Sequence, residues 1–215
     1  MAGIVSFGGY IPRLRLQRKA IAGANAWFQP GLMGQAKGER AMANWDEDSV
    51  TMAVEAARDA LPGTDPIATR KHVDAIYFAS TTMPFADRQN SGIIAAALSL
   101  PEEISGFDIT SSQRAGLSAL LAALNAVKGG AHANALVVGN TKPVAKYLGG
   151  ASLTVDFIDH FRGEGEDYDY QWEERWIRDE GFTKIAPRAI KAALDKAGVK
   201  AADIDHFIMP CVFPK

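Results

Sequence analysis

The sequence has 215 residues, 47% of them apolar and 22% charged, with a net charge of −2. This balance excludes a largely disordered chain. The length allows one large domain or two small ones, at roughly 100–200 residues each. Lys and Arg show no excess that would mark a nucleic-acid binder. The single cysteine excludes an intramolecular disulfide and a four-cysteine zinc site. The start, Met1-Ala2-Gly3-Ile4-Val5, lacks a basic region followed by a long apolar one, and no run approaches the ~20 apolar residues that span a bilayer. The expected compartment is the cytosol.

In chain order, Ile4-Val5-Ser6-Phe7 reads as a short strand broken by Gly8-Gly9, and Pro12 closes that region. Arg13, Arg15, Arg18 and Lys19 form a basic cluster, either a solvated surface or a contact for an anionic ligand tail. Residues 22–45 read as an irregular loop, because Gly23, Pro30, Gly31, Gly34 and Gly38 interrupt any period. Asp46-Glu47-Asp48 then precedes Val50, Ala53, Val54, Ala57 and Leu61. That spacing predicts a helix with acids at its positive end, stopped by Pro62-Gly63.

Residues 73–79 read as a strand, 80–90 as a polar turn region, 91–98 as a short helix and 105–109 as another strand. Residues 115–127 are apolar almost all round, which predicts a buried helix, ended by Gly129-Gly130. Residues 135–138 read as a short buried strand. The acidic stretch 159–181 carries Trp172, Trp176 and Ile177 at helical spacing, with Gly181 as the expected C-terminal cap. Ile190, Ala193, Leu194 and Ala197 mark a further helix capped by Gly198, and 204–209 reads as a closing strand. Alternating strands and helices predict an α/β layered fold with a mostly parallel sheet, no internal repeat and no clear linker.

Few residues carry obvious chemistry. His72, His132, His160 and His206 lack the spacing of a helical zinc pair. Asp156, Asp159 and His160 stand close in sequence, and a solvated polar face is the simpler reading than a metal site. Neither phosphate-binding glycine pattern is present, nor is a G-x-S-x-G elbow. Cys211, beside Pro210, reads as a structural thiol. The junction Ser111-Ser112-Gln113-Arg114-Ala115-Gly116 is the most informative segment. It joins a strand to a helix N-terminus, where an anion or nucleophile is stabilised. In plain structural terms Ser111 or Ser112 is the helix cap.

The stretch 37–53, with Asn44-Trp45-Asp46-Glu47-Asp48 at its centre, resembles the signature of hydroxymethylglutaryl-CoA synthase-like proteins of the thiolase superfamily. Gly9-Tyr10-Ile11-Pro12, Phe107-Asp108-Ile109-Thr110, Arg114-Ala115-Gly116, the acidic Trp172 region and Phe207-Ile208-Met209-Pro210 are similar to that family too. The resemblance touches most of the chain. It implies a layered α/β/α/β/α thiolase-like fold, here incomplete. Residues 1–215 would form one domain, mostly the first half of the family fold, with part of the second half from about 139. It also implies acyl-CoA condensation through a cysteine thioester, assisted by a glutamate and a histidine.

By the same resemblance, Gln113 stands where the cysteine belongs and Thr81 where the glutamate belongs, with Pro210 near the histidine's place. A glutamine amide forms no stable thioester. A family strand, an Asp-rich loop and a Gly-Asp-Gly-Ala-like turn are missing around Val138-Gly139, as are second-half residues after Lys215. An internal deletion and a missing C-terminal part would explain both. The implied ligand is a CoA thioester as substrate, with no permanently bound cofactor and no metal. Three readings follow: an acyl-CoA-condensing transferase scaffold with Gln113 in place of the nucleophile; a malonyl-thioester decarboxylase-like protein, with the Gln113 amide donating to an enolate oxygen; and a non-catalytic assembly subunit. An incomplete, inactive fold is the bland alternative. The expected partners are an acyl-CoA and a second protein, as a homodimer or as a heteromer with a zinc-ribbon/OB-fold or thiolase-type protein. No nucleic acid and no membrane is expected.

Overall fold

A computed structural model describes residues 2–61, 70–132, 134–135, 138–139, 143–163, 165–166 and 168–209. The chain divides into two compact units, Met1–Tyr147 and Leu148–Lys215.

The first unit is layered. Its strands are β1 (Gly3–Ile4), β2 (Leu14–Gln17), β3 (Glu39–Met42), β4 (Ala75–Ala79), β5 (Ser105–Ile109), β6 (Asn134–Ala135), β7 (Val138–Gly139) and β8 (Ala145–Lys146). Its α-helices are α1 (Arg18–Asn25), α2 (Ser49–Ala60), α3 (Asn90–Ala97) and α4 (Ala115–Lys128). A six-stranded sheet runs in the order β5-β4-β6-β7-β1-β8. Side chains alternate across β4 as strand geometry requires. Ile76 and Phe78 face Val50, Val54 and Ala57 of α2 and Ile94 of α3. Ala75 and Tyr77 face Ala123, Leu124 and Val127 of α4. Ile94 and Leu98 are wholly buried, and each such burial is worth about 1.5–3 kcal/mol.

The helix predicted after residue 48 is present, and its start is well made. Asp48 accepts from the Thr51 N–H at 2.7 Å, and Thr51 Oγ1 accepts from the Asp48 N–H at 2.8 Å, a reciprocal capping box. Gly8 is needed nearby, because a Cβ there would meet the Ala60 nitrogen at 2.3 Å.

Several elements differ from what the sequence pattern predicts. The sheet is mixed: β4 pairs in parallel with β5 and β6, but β6–β7, β7–β1 and β1–β8 are antiparallel. The first strand covers only Gly3–Ile4, and Ser6 instead donates to the Ala60 carbonyl. Residues 22–45 are not loop alone. They include the second half of α1, a 3₁₀ turn at Pro30–Gln35 and β3, which pairs antiparallel with β2. The glycines that break the period are accommodated between these short elements. Helix α4 is covered on one face only: Leu124 is buried, while Leu117 is 53% exposed. The single strand expected at 135–138 is two two-residue strands, β6 and β7, turned back on each other with Ala135 opposite Val138. Pro62, Gly63, Leu136 and Val137 lie outside the described residues.

The second unit holds a small antiparallel ribbon of β9 (His160–Phe161) and β10 (Tyr170–Gln171). Phe161 and Tyr170 pair across it with ring centroids 5.1 Å apart. After the ribbon come α5 (Glu174–Trp176), a π-helical stretch Ile177–Ile185, and α6 (Ala186–Ala197). Gly198 ends α6 in the left-handed conformation at φ 66°, as the sequence predicts. Gly181 does not cap a helix. It lies within the π-helical stretch, and a Cβ there would stand 3.1 Å from the Phe157 ring. Close ring packing therefore explains that glycine, and Trp172 precedes the helix rather than lying on it. Residues 204–209 form no strand and are exposed, with no neighbouring strand among the described residues to pair with.

Candidate functional site

Because β4 and β5 are parallel neighbours, their ends converge. Ala79 lies opposite Ile109, and the Ser80 N–H donates to the Ile109 carbonyl at 3.2 Å. Two residues past Ala79 is Thr81, and four past Ile109 is Gln113. Both line one open pocket of about 390 Å³, with Ala79, Ser80, Ser112, Ala115 and Gly116. The two residues that sequence comparison with the family singles out, 32 positions apart, thus share a wall-to-wall site.

The pocket sits at the start of α4, which carries partial positive charge. Arg114 occupies the cap position and makes no side-chain cap bond. Ser112 Oγ accepts from the Arg114 N–H at 3.1 Å, but the helix begins after Arg114 with no side-chain cap bond, so neither Ser111 nor Ser112 is the cap that the sequence predicts. Ser111 adopts φ +66°, a conformation that non-glycine residues take at a cost of about 1–2 kcal/mol. It reverses the chain between β5 and α4. The lining offers hydroxyls from Ser80, Thr81 and Ser112 and the Gln113 amide. None of these lining residues is a thiol, carboxylate or imidazole.

The loop that carries Thr81 is tied down on several sides. Thr82 donates its N–H to Ser80 Oγ at 3.0 Å, and its carbonyl accepts from Ser49 Oγ at 2.8 Å. At the far end, Asn90 is buried and its side chain meets the Phe85 and Arg88 carbonyls. Asp108, on β5, accepts from the Asn90 and Ser91 N–H groups at 2.6 and 2.8 Å and so caps α3 from a neighbouring strand. Burial works to raise the Asp108 pKa, but the hydrogen bonds from Ser91 and Asn90 outweigh it and hold this carboxyl below its ordinary value. Residue reading missed Asn90, Ser49 and this role of Asp108. A polar residue inside the strand 105–109 was the available signal.

Two of the family-like segments also touch. The Tyr10 hydroxyl donates to the Glu47 carboxylate. That bond lowers the Glu47 pKa and raises that of Tyr10. Other singled-out residues stand elsewhere. Asp159 and His160 pair at 2.8 Å through His160 Nδ1, while Asp156 is exposed. Arg13, Arg15, Arg18 and Lys19 are exposed, and Arg15 lies 3.9 Å from Glu39. His132 lines a separate hollow of about 520 Å³ with Lys71 and Glu103. Pro210 and Cys211 lie outside the described residues. Among the described residues no helix is long and apolar enough to cross a membrane.

No family model matches the sequence. The chain is, however, 28% identical to the hydroxymethylglutaryl-CoA synthase of Methanocaldococcus jannaschii over 99% of its own length and 68% of that protein. It is 29% identical to the synthase of Methanocella arvoryzae over 96% of its length and 66% of that protein. It therefore spans about two thirds of the length of these curated relatives. The first match runs over 247 residues, more than the 215 of this chain, so part of that stretch has no counterpart here.

Solved structures agree on the fold. A hydroxymethylglutaryl-CoA synthase complexed with CoA superposes with a TM-score of 0.74 at 14% identity, over 94% of this chain and 58% of that one. The β-ketoacyl-acyl carrier protein synthase III of Thermus thermophilus gives 0.73 at 18% identity, over 94% and 74%. The chain is thus similar along nearly its whole length to hydroxymethylglutaryl-CoA synthases that are longer than it, and it has a thiolase-like α/β fold.

Proposed function

We propose that this protein binds CoA thioesters in the Thr81–Gln113 pocket and does not carry the acyl group on residue 113. The observation that supports this reading is the lining itself. Thr81 and Gln113, which the resemblance sets at the family's glutamate and cysteine positions, meet in one pocket with hydroxyl-bearing or small residues around them. A cysteine at a helix N-terminus is activated as a thiolate, whereas a glutamine amide there has no such state. The donors that remain are suited to holding a thioester carbonyl.

A second reading has a specific support, the Gln113 amide beside three hydroxyls. In malonyl-thioester decarboxylation the bond to the carboxylate breaks, carbon dioxide leaves, and the electron pair forms an enolate. The Gln113 amide would donate to the enolate oxygen. A proton from water then gives the acetyl thioester. The assembly-subunit reading, as a cytosolic homodimer or a heteromer with a thiolase-type or zinc-ribbon/OB-fold protein, remains compatible with ligand binding.

The test is to incubate the purified chain with acetyl-CoA or malonyl-CoA, then measure intact mass and products. The first reading predicts saturable binding, no acetyl adduct and no condensation product. Conversion of malonyl-CoA to acetyl-CoA that is lost in Gln113→Ala establishes the second. An acetyl adduct on the pocket, or failure of a folded chain to bind any CoA thioester, contradicts the proposal.

A further inference from the structure

We propose that Asn90 is the positioning residue of this pocket, fixing the loop 80–89 so that Thr81 stands across from Gln113. The inference rests on the reading of that pocket as the ligand site.

Asn90 is 1% exposed. A buried carboxamide is costly unless its donors and acceptor are paired, and here the partners are particular ones. Asn90 Oδ1 accepts from the Phe85 N–H at 3.3 Å. Its Nδ2 reaches the Phe85 carbonyl at 3.0 Å, the Arg88 carbonyl at 3.1 Å and Asp108 Oδ2 at 3.0 Å. One side chain therefore binds loop backbone on one side and a β5 carboxylate on the other.

The opposite end of the loop is held by the next residue of the same strand. Ser80 donates to the Ile109 carbonyl, and Ser49 secures the Thr82 carbonyl. Residues 108 and 109 thus anchor both ends of the segment that carries Thr81. The same strand continues into Gln113. Positions on two separate loops acquire a fixed spacing through one short strand, and among the side chains that tie the loop, Asn90 is the buried one and joins loop backbone to the β5 carboxylate. Pocket groups need such a fixed spacing, because displacements near 1 Å already cost much of the interaction.

The test compares Asn90→Ala with Leu124→Ala, a core truncation on the other face of the sheet. Each is studied at a temperature where its melt shows a folded protein. Readouts are the Thr81 backbone and Gln113 side-chain amide resonances, amide exchange in 80–89, and acetyl-CoA affinity. Asn90→Ala is expected to move both resonances, speed loop exchange about tenfold and weaken affinity about tenfold or more. Leu124→Ala is expected to leave the resonances and affinity in place. Unmoved Thr81 and Gln113 resonances in folded Asn90→Ala, or equal movement in Leu124→Ala, overturn the proposal. If Asn90→Ala does not fold, Asn90→Ser, whose shorter side chain cannot span the Phe85 and Arg88 carbonyls and Asp108 together, is read in the same way, and unmoved resonances there overturn it. If the natural chain does not bind acetyl-CoA, the functional reading fails, while the resonances still decide the role of Asn90.

Discussion

Two helix starts in the first unit are built in opposite ways. The start of α3 is buried, and Asp108 takes its first amides at 2.6 and 2.8 Å. The start of α4 is exposed, has no side-chain cap bond at Arg114, and opens on a pocket. The first end is closed for stability. At the second, the Ala115 N–H donates to the Ser112 carbonyl at 2.9 Å, and Ser112 and Gln113 line the pocket. Both follow from β5, whose residue 108 closes one helix and whose continuation leads into the other.

Asp108→Ala should show the largest loss. It strips an acceptor from the Asn90 and Ser91 amides and from the Asn90 side chain, so about 2–4 kcal/mol should disappear in urea unfolding. A loss below ~1 kcal/mol would mean the closed end is not closed by Asp108. Asp48→Ala removes the capping box of α2 and should cost about 1 kcal/mol, a middle case between the two helix starts. Gln113→Ala, at the open end, should change stability by no more than ~0.5 kcal/mol, because the side chain is exposed. A much larger loss there would make Gln113 structural and break the contrast.

The closed end should also respond to acid. The folded-state pKa of Asp108 is depressed, so its contribution is present above the unfolded value near 3.9. It is lost as pH falls through the folded value. Urea midpoints measured downwards from neutral pH should therefore drop over the acid limb, and Asp108→Asn should flatten that drop. Because this group is only partly buried, the slope should be modest.

A last variant sharpens the open end chemically. Gln113→Cys places a thiol at the start of α4, and intact mass after acetyl-CoA treatment should rise by one acetyl group. Condensation should stay absent, since Thr81 supplies no carboxylate. Restored condensation would contradict the importance given to Thr81.

The legible parts of the fold were those with local patterns. The acids before Val50, the strands at 73–79 and 105–109, and the α6 face closed by Gly198 all follow from spacing and caps. Pairing direction was not legible, because β7, β1 and β8 find partners far along the chain. Gly181 misled because a glycine at ring contact and a glycine at a helix end look alike in sequence. Residues 204–209 have strand composition, but a strand needs a neighbour. In the site, Thr81 and Gln113 came from family resemblance, and their meeting in one pocket follows from parallel pairing of β4 and β5. Asn90 was hidden because a buried amide at a helix start reads like any polar turn residue.

The central claim is that the open end of α4 holds a CoA thioester. The direct measurement is a thermal melt of the purified chain with and without acetyl-CoA. At about 100 times the dissociation constant the ligand adds ~2.7 kcal/mol, which for a chain of this size raises the midpoint by about 2–4 °C per kcal/mol. A cooperative melt that shifts upwards in the natural chain is the expected result. A cooperative melt that does not move would contradict it.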